Sequence, residues 1–339
     1  MQLIIDTQGT NLNKRNNCFQ ISNETSERII APSRIQSIAI SNNCMISSAA
    51  VELAILKNIP IYFIDKYGDV VGRLWSSQLS HTNQLRRLQL LALERDDFRI
   101  LSIKEVFDFK TVNQVSILKQ LSKAYGNKDV IRTTILDIES LRAELQNPGS
   151  ANFEEARSRM MGYEGSIAKL YWKVLSQFLE PYWQFSERSR RPAKDPFNAL
   201  LNYNYGMLYH VVEQGIFACG LDPTFGFMHR DQTDKPTLSF DLIEPFRPWI
   251  DFCLIENIKN GNLCQDACIK DSTKGFIISK AEKRKLIQSF NAEMLKEREF
   301  LDRRMSVRDH IHRYAGLHAE SIRKIMNQKL DDDVQDDTL

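Results

Sequence analysis

A histidine and two carboxylates stand among apolar residues between positions 225 and 251. The chain reads Phe225-Gly226-Phe227-Met228-His229 and, after a polar loop, Leu238-Ser239-Phe240-Asp241-Leu242-Ile243-Glu244-Pro245-Phe246-Arg247-Pro248. Charges in such surroundings need a partner to stay charged. An imidazole with carboxylates is a donor set for a divalent ion, so the first expectation is a metal site. If 241–244 is helical, the i, i+3 spacing puts Asp241 and Glu244 on one face. Asp-x-x-Glu is also a capping-box variant, with Asp241 at the N-cap, Glu244 reaching back to its amide and Pro245 near the helix start. On this segment alone the two readings are level.

A further acid is needed, and the long helical pattern at 153–179 holds one. At ~100° per residue, Glu164 shares a face with Ala168, Tyr171 and Leu175, so it points inward. The plainer account of a helix-edge glutamate, bonded to backbone or to a lysine, is the commoner outcome for such a residue taken alone. Gly165 costs ~1 kcal/mol relative to alanine inside a helix, which a close approach of another backbone would rationalise.

These groups need elements to position them. Residues 1–76 form a β-rich region of short β-branched runs (Leu3-Ile4-Ile5, Cys18-Phe19-Gln20-Ile21, Arg28-Ile29-Ile30, 35–40, 61–64 and 70–75), interrupted by one helix at 47–57. No carboxylate cluster, glycine-rich loop or nucleophile motif stands there, which fits a scaffold or dimerisation domain. The polar stretch 77–84 is the linker candidate, and lone His81 within it is given no role. Helical spacing then dominates 85–330: apolar runs at 85–93, 112–124 and 130–145, a break at Asn147-Pro148-Gly149-Ser150, and capping signatures at Asp195-Pro196, Ser279/Glu282 and Ser306/Asp309. The second of these opens a run expected to continue to Leu301. The acidic tail 331–339 is expected to be disordered. The fold class expected is α+β, a small β-rich N-terminal domain followed by a larger all-α catalytic domain.

The segment 186–196, with Arg188, Arg190, Arg191 and Lys194, is the densest basic stretch of the middle chain. Most charge runs are solvated loops, but Tyr182, Trp183, Phe185 and Phe197 flank this one, a mixture suited to backbone phosphates and unpaired bases. In the following helix Asn198, Asn202, Tyr205 and Tyr209 make a hydrogen-bonding stripe that either lines a site or hydrates a surface.

Composition bounds the rest. The chain of 339 residues exceeds one usual core, and 42% hydrophobic with 26% charged residues is ordinary for a globular protein. Every apolar run is broken before the ~18 residues of a membrane span, and the N-terminus enters a strand-like segment rather than a signal peptide, so a cytoplasmic protein is expected. Cys18, Cys44, Cys219, Cys253, Cys264 and Cys268 follow no disulfide or zinc spacing. His310, His312 and His318 also lack a compact ligand pattern. Five of the 43 acids sit in the tail, so the body is more basic than the net +2 implies, which makes a polyanion partner reasonable.

Four blocks in this order carry a resemblance: Gly162-Tyr163-Glu164-Gly165; Asp195-Pro196-Phe197-Asn198-Ala199-Leu200-Leu201-Asn202-Tyr203; Gly220-Leu221-Asp222-Pro223 with Gly226-Phe227-Met228-His229; and Ser239-Phe240-Asp241-Leu242-Ile243-Glu244-Pro245-Phe246-Arg247-Pro248. Over nearly its whole length the chain resembles the CRISPR-associated integrase/endonuclease of spacer acquisition. The resemblance implies a homodimer joined through its N-terminal domains, working on DNA with the small ferredoxin-like subunit of the adaptation complex. It implies a Mg²⁺ or Mn²⁺ site at Glu164, His229 and Glu244, with Asp241 adjoining. Many relatives have aspartate where Glu244 stands, so the choice of Asp241 or Glu244 as direct ligand stays open. Arg188, Arg190, Arg191 and Lys194 are the candidates for holding DNA phosphates, and Asn198 and Asn202 for ordering the site.

The implied reaction is insertion of prespacer DNA into a repeat array by attack of a 3′-hydroxyl on a phosphodiester. The alternatives are a structure-selective nuclease that uses water instead, and a non-catalytic DNA-binding scaffold whose carboxylates are caps and core polar groups.

Overall fold

The computed structural model describes residues 2–35, 37–40, 43–64, 70–74, 82–150, 152–190, 192–229, 235–271 and 275–336. Positions 65–69, 75–81, Arg191 and most of the loop after His229 lie outside them, and with 75–81 goes most of the expected linker, His81 included. The chain divides into two compact units, Met1–Ser80 and His81–Leu339.

Among its described residues the first unit holds two four-stranded sheets and one α-helix. In one sheet the order is β1 (Gln2–Ile5), β5 (Ser37–Ile40), β7 (Ile61–Ile64) and β8 (Val70–Leu74), the first three parallel and the last antiparallel. Strand β5 is buried at every position, as a central parallel strand covered on both faces must be, which explains its continuous apolar run. The second sheet runs β4 (Glu27–Ile30), β3 (Cys18–Ser22), β2 (Asn11–Arg15) and β6 (Met45–Ile46). Polar β2 has no β-branched signature, but Asn16 and Asn17 both adopt left-handed backbone between paired Arg15 and Cys18, the demand of a two-residue hairpin turn. Leu12, Phe19, Ile38 and Ile61 meet in the core with Leu53 of α1 (Ser48–Leu56), whose first turn is capped by the Ser47 hydroxyl.

The second unit is mainly helical. It comprises α2 (Thr82–Leu93), α3 (Asp96–Tyr125), α4 (Lys128–Gln146), α5 (Phe153–Ser176), α6 (Pro196–Ala218), α7 (Thr237–Leu242), α8 (Arg247–Lys259), α9 (Lys280–Leu295) and α10 (Val307–Asp336). Helices α3, α4 and α5 pack together, α10 lies on α2 and α6, and α8 contacts α3 and α6. Asp195 caps α6 with Pro196 at its first position, and Ser279 caps α9.

Three differences from the sequence expectations appear here. Two small antiparallel hairpins add to the helices: β9 (Cys268–Asp271) with β10 (Gly275–Ile278), and β11 (Glu297–Phe300) with β12 (Arg303–Ser306). Leu301 sits in the second hairpin's turn, not in a helix. It and Asp302 have positive φ, and Lys296 turns extended after α9. Lastly, α10 extends to Asp336, into the tail expected to be disordered, of which 337–339 lie outside the described residues. No helix among the described residues is long and apolar enough to cross a membrane.

Candidate metal centre

Asp241 is the fixed point of the centre. It lies inside α7, fully buried, and its carboxylate accepts the amides of Phe227 (2.7 Å) and Met228 (3.0 Å) on Oδ2 and that of His229 (3.2 Å) on Oδ1. Oδ1 is also 2.5 Å from His229 Nδ1. The capping-box reading therefore gives way: Asp241 sits inside α7 and caps no helix of its own, and its oxygens are turned to the 227–229 backbone and the imidazole. Burial raises its pKa, against the pull of His229 and the Met228 and Phe227 amides.

This approach needs a glycine nearby. A Cβ at Gly226 would meet Asp241 Oδ2 at 2.7 Å and Thr237 at 2.8 Å. The Thr237 hydroxyl accepts the Gly226 amide and donates to Thr224 O, Arg157 donates to Met228 O at 2.6 Å, and Gln89 binds Asp222 and Phe225. The histidine loop is thus fastened from α2, α5 and α7. His229 itself is partly exposed, its ring edge-on to Phe240, and its Nε2 is the nitrogen that Asp241 does not engage.

Glu244 opens the 3-10 turn Glu244–Phe246 between α7 and α8. Asn113 of α3 donates to Pro245 O at 2.7 Å, and Phe246 packs edge-on against Trp249, Phe300 and Tyr314. One helical turn before Asn113, Lys110 places its ammonium 2.6 Å from Glu244 Oε2 and 2.5 Å from Glu164 Oε1. Arg247 lies 3.1 Å from Glu244 Oε1 and bonds the Tyr209 hydroxyl. Burial works against charge on Glu244, but Arg247 and Lys110 more than offset it and bring its pKa down to about 2. Glu164 comes from α5, whose start is capped by Asn152. No backbone crowds Gly162 or Gly165, where an added Cβ would meet nothing within 4 Å, so close helix approach does not explain Gly165.

Two glutamates from distant segments are therefore joined through one lysine, and the histidine is joined to Asp241. Among the described residues no three His, Cys, Asp or Glu side chains form a ready metal cluster. The donor chemistry nevertheless fits a hard divalent ion: Glu164 and Glu244 already gather a cation between them, and a histidine held at Nδ1 by a carboxylate has the arrangement common behind metal-bound imidazoles.

The basic segment divides into residues turned inward and residues left exposed. Arg188 faces inward: it bonds Asn198 and Asn202 and lies over Trp172 and Tyr205. Asn198, fully buried, also ties Glu187 O and Asp195, and Asn202 ties Ser189 O and Arg190 O. These three residues brace the loop through bonds within the chain. Arg190 and Lys194 are exposed, Lys194 pairing with Glu187, and Arg191 lies outside the described residues. The Tyr205 end of the stripe is buried: with Tyr171 it donates to Asp251.

Lys110, Asn113 and Arg247 are not among the site residues read from the sequence. The available signal was Lys110-x-x-Asn113 at one-turn spacing among the apolar positions of α3, beside the Arg247 already inside a quoted block.

The family model described as CRISPR associated protein Cas1 matches residues 3–292. A CRISPR-associated endonuclease Cas1 of Archaeoglobus fulgidus is 31% identical over 259 residues, covering 73% of this chain and 74% of that one. A casposase solved bound to integration product superposes with a TM-score of 0.80 at 21% identity, covering 94% of this chain and 91% of the other. A Cas6-RT-Cas1–Cas2 complex superposes at 0.76 and 20% identity, covering 96% of this chain and 35% of the longer one. With a family model spanning most of its length and a relative alike over nearly three quarters of both chains, this protein belongs to the CRISPR-associated Cas1 family.

Proposed function

We propose that the chain is a divalent-metal-dependent DNA integrase/endonuclease that joins prespacer DNA to a CRISPR repeat array. The observation that carries the reading is the meeting of Glu164 and Glu244 on one cation, beside a histidine oriented by buried Asp241. Membership of the Cas1 family supports it, as does the fold shared with a casposase solved on its integration product.

Glu164, Glu244 and His229 would hold the metal. When bound, Mg²⁺ or Mn²⁺ supplies Lewis acidity to the attacked phosphate and to the entering and leaving 3′-oxygens. The imidazole nitrogen among the donors suits Mn²⁺ at least as well as Mg²⁺. The chain's own groups do the rest. With the proton on Nδ1, His229 donates a hydrogen bond to Asp241, which leaves the Nε2 lone pair available and fixes the ring plane. Arg247 and Lys110 keep Glu244 ionised throughout the physiological range. Exposed Arg190 and Lys194 are suited to backbone phosphates, since Lys194 can exchange an exposed carboxylate partner for one at little cost. A homodimer, assembled with a small ferredoxin-like subunit, completes the proposal; the likeness to the Cas6-RT-Cas1–Cas2 complex supports a Cas2-type partner.

The test is strand transfer of prespacer DNA into a repeat-bearing plasmid with Mn²⁺. Covalently joined, branched product is expected, abolished by Glu164→Ala and by His229→Ala. Cleavage without joining would make the protein a nuclease alone. Joining and cleavage that both survive the two substitutions would remove the metal site, and DNA binding that persists in EDTA without chemistry under any divalent ion would leave only a scaffold.

A further inference from the structure

Lys110 occupies the centre of the dicarboxylate. Its three-element junction joins α3 to Glu164 of α5 and to Glu244 of the turn before α8, and the lysine side chain is only 13% exposed. Glu244 has no spare oxygen there, because Oε1 faces Arg247 and Oε2 faces Lys110. Two carboxylates thus balance two cations, and the cluster has no net charge. A divalent ion added while both cations stayed in place would leave two uncompensated positive charges where little water screens them. A metal on Glu164 Oε1 and Glu244 Oε2 would also claim the same two oxygens as the ammonium.

We propose that Lys110 is a resident counter-ion that competes directly with divalent metal for Glu164 and Glu244, so that metal binding is an exchange in which the ammonium withdraws. The inference rests on the reading of those glutamates as metal ligands. A lysine suits such an exchange, being a compact point charge on a flexible four-carbon stem that can leave without moving α3, whereas a bidentate arginine would be harder to displace. The exchange keeps the metal-free chain folded with its glutamates paired. It also sets metal affinity below what the bare carboxylates would give.

The experiment measures Mn²⁺ binding to the full-length protein by calorimetry and by the electron paramagnetic resonance of free Mn²⁺. It compares the wild type with Lys110→Met, Lys110→Gln and Glu164→Ala, and follows thermal melting in EDTA and in Mn²⁺. Lys110→Met and Lys110→Gln are expected to bind Mn²⁺ at least tenfold more tightly than the wild type, to melt lower in EDTA and to regain stability with Mn²⁺. Wild-type binding indifferent to Glu164→Ala removes the metal site, and the exchange with it. Glu164-dependent binding that neither lysine variant tightens, in proteins that melt cooperatively, overturns the exchange alone.

Discussion

Asp241 and His229 are bonded twice through one carboxylate oxygen, which accepts both the backbone amide and ring Nδ1 of the histidine. The acid is buried completely while the imidazole remains partly exposed, so the carboxylate holds the ring by one nitrogen and does not engage the other. Asp241 accordingly engages His229 and the loop, and under the proposed function the direct carboxylate role falls to Glu244.

Asp241→Asn tests that division. An amide cannot accept from three backbone N–H groups and the ring together, so the histidine loses its orientation. Strand-transfer rate and Mn²⁺ affinity are expected to fall by about 10- to 100-fold, the usual effect of removing a carboxylate behind a metal-bound histidine. DNA binding in EDTA should be nearly unchanged.

Gly226→Ala should damage the site without touching a proposed ligand. Its Cβ would press on Asp241 Oδ2 and the Thr237 backbone, and neither is the far end of a flexible side chain. A loss of roughly 1–3 kcal/mol in denaturant unfolding is expected, the range for overpacking, together with a loss of activity resembling that of Asp241→Asn. Melting and strand transfer as in the wild type would show that the loop can yield.

Arg188 and Arg190 should separate cleanly. Arg188→Ala removes charged hydrogen bonds to Asn198 and Asn202, costing about 2 kcal/mol of stability while the salt dependence of DNA binding stays put. Arg190→Ala leaves stability alone and lowers the slope of log K against log salt by about one. The reverse pattern in a salt titration would mean that the loop is rearranged on DNA.

Asp251 makes a pH prediction. Burial raises its carboxyl to about 7, against the pull of Tyr205, Tyr171, Arg188 and Arg247. Between the ordinary value of 3.8 and about 7 the folded chain keeps a proton that the unfolded chain has lost, so this group makes stability fall as pH rises through that window. Relative to Asp251→Asn, the wild type should lose up to ~1.4 kcal/mol per pH unit between pH 5 and 7 in urea titrations, then level off. A difference independent of pH would place the proton elsewhere.

Much of the architecture was legible from local pattern. The apolar run of β5 marks a strand covered on both faces, and Ser47, Asp195 and Ser279 announce the helices they cap, because a helix end must find partners for its free amides nearby. The hairpin turns at Asn16-Asn17 and Leu301-Asp302 were less visible. The first carries a turn signal with no strand-like flank before it, and the second puts leucine where positive φ disfavours it.

What the residues determined by themselves is the order of a β-rich and a helical part, several helix starts, and the presence of a histidine and acids in apolar surroundings. Those follow from backbone preferences and from the cost of stranded charge, both local in the chain. Only the tertiary structure decided which acid meets which cation. Lys110 joins Glu164 and Glu244 across 54 and 134 positions of sequence, and Arg188 turns inward to two asparagines. Partner choice among charged side chains depends on through-space distance and desolvation, and neither is encoded in spacing along one helix.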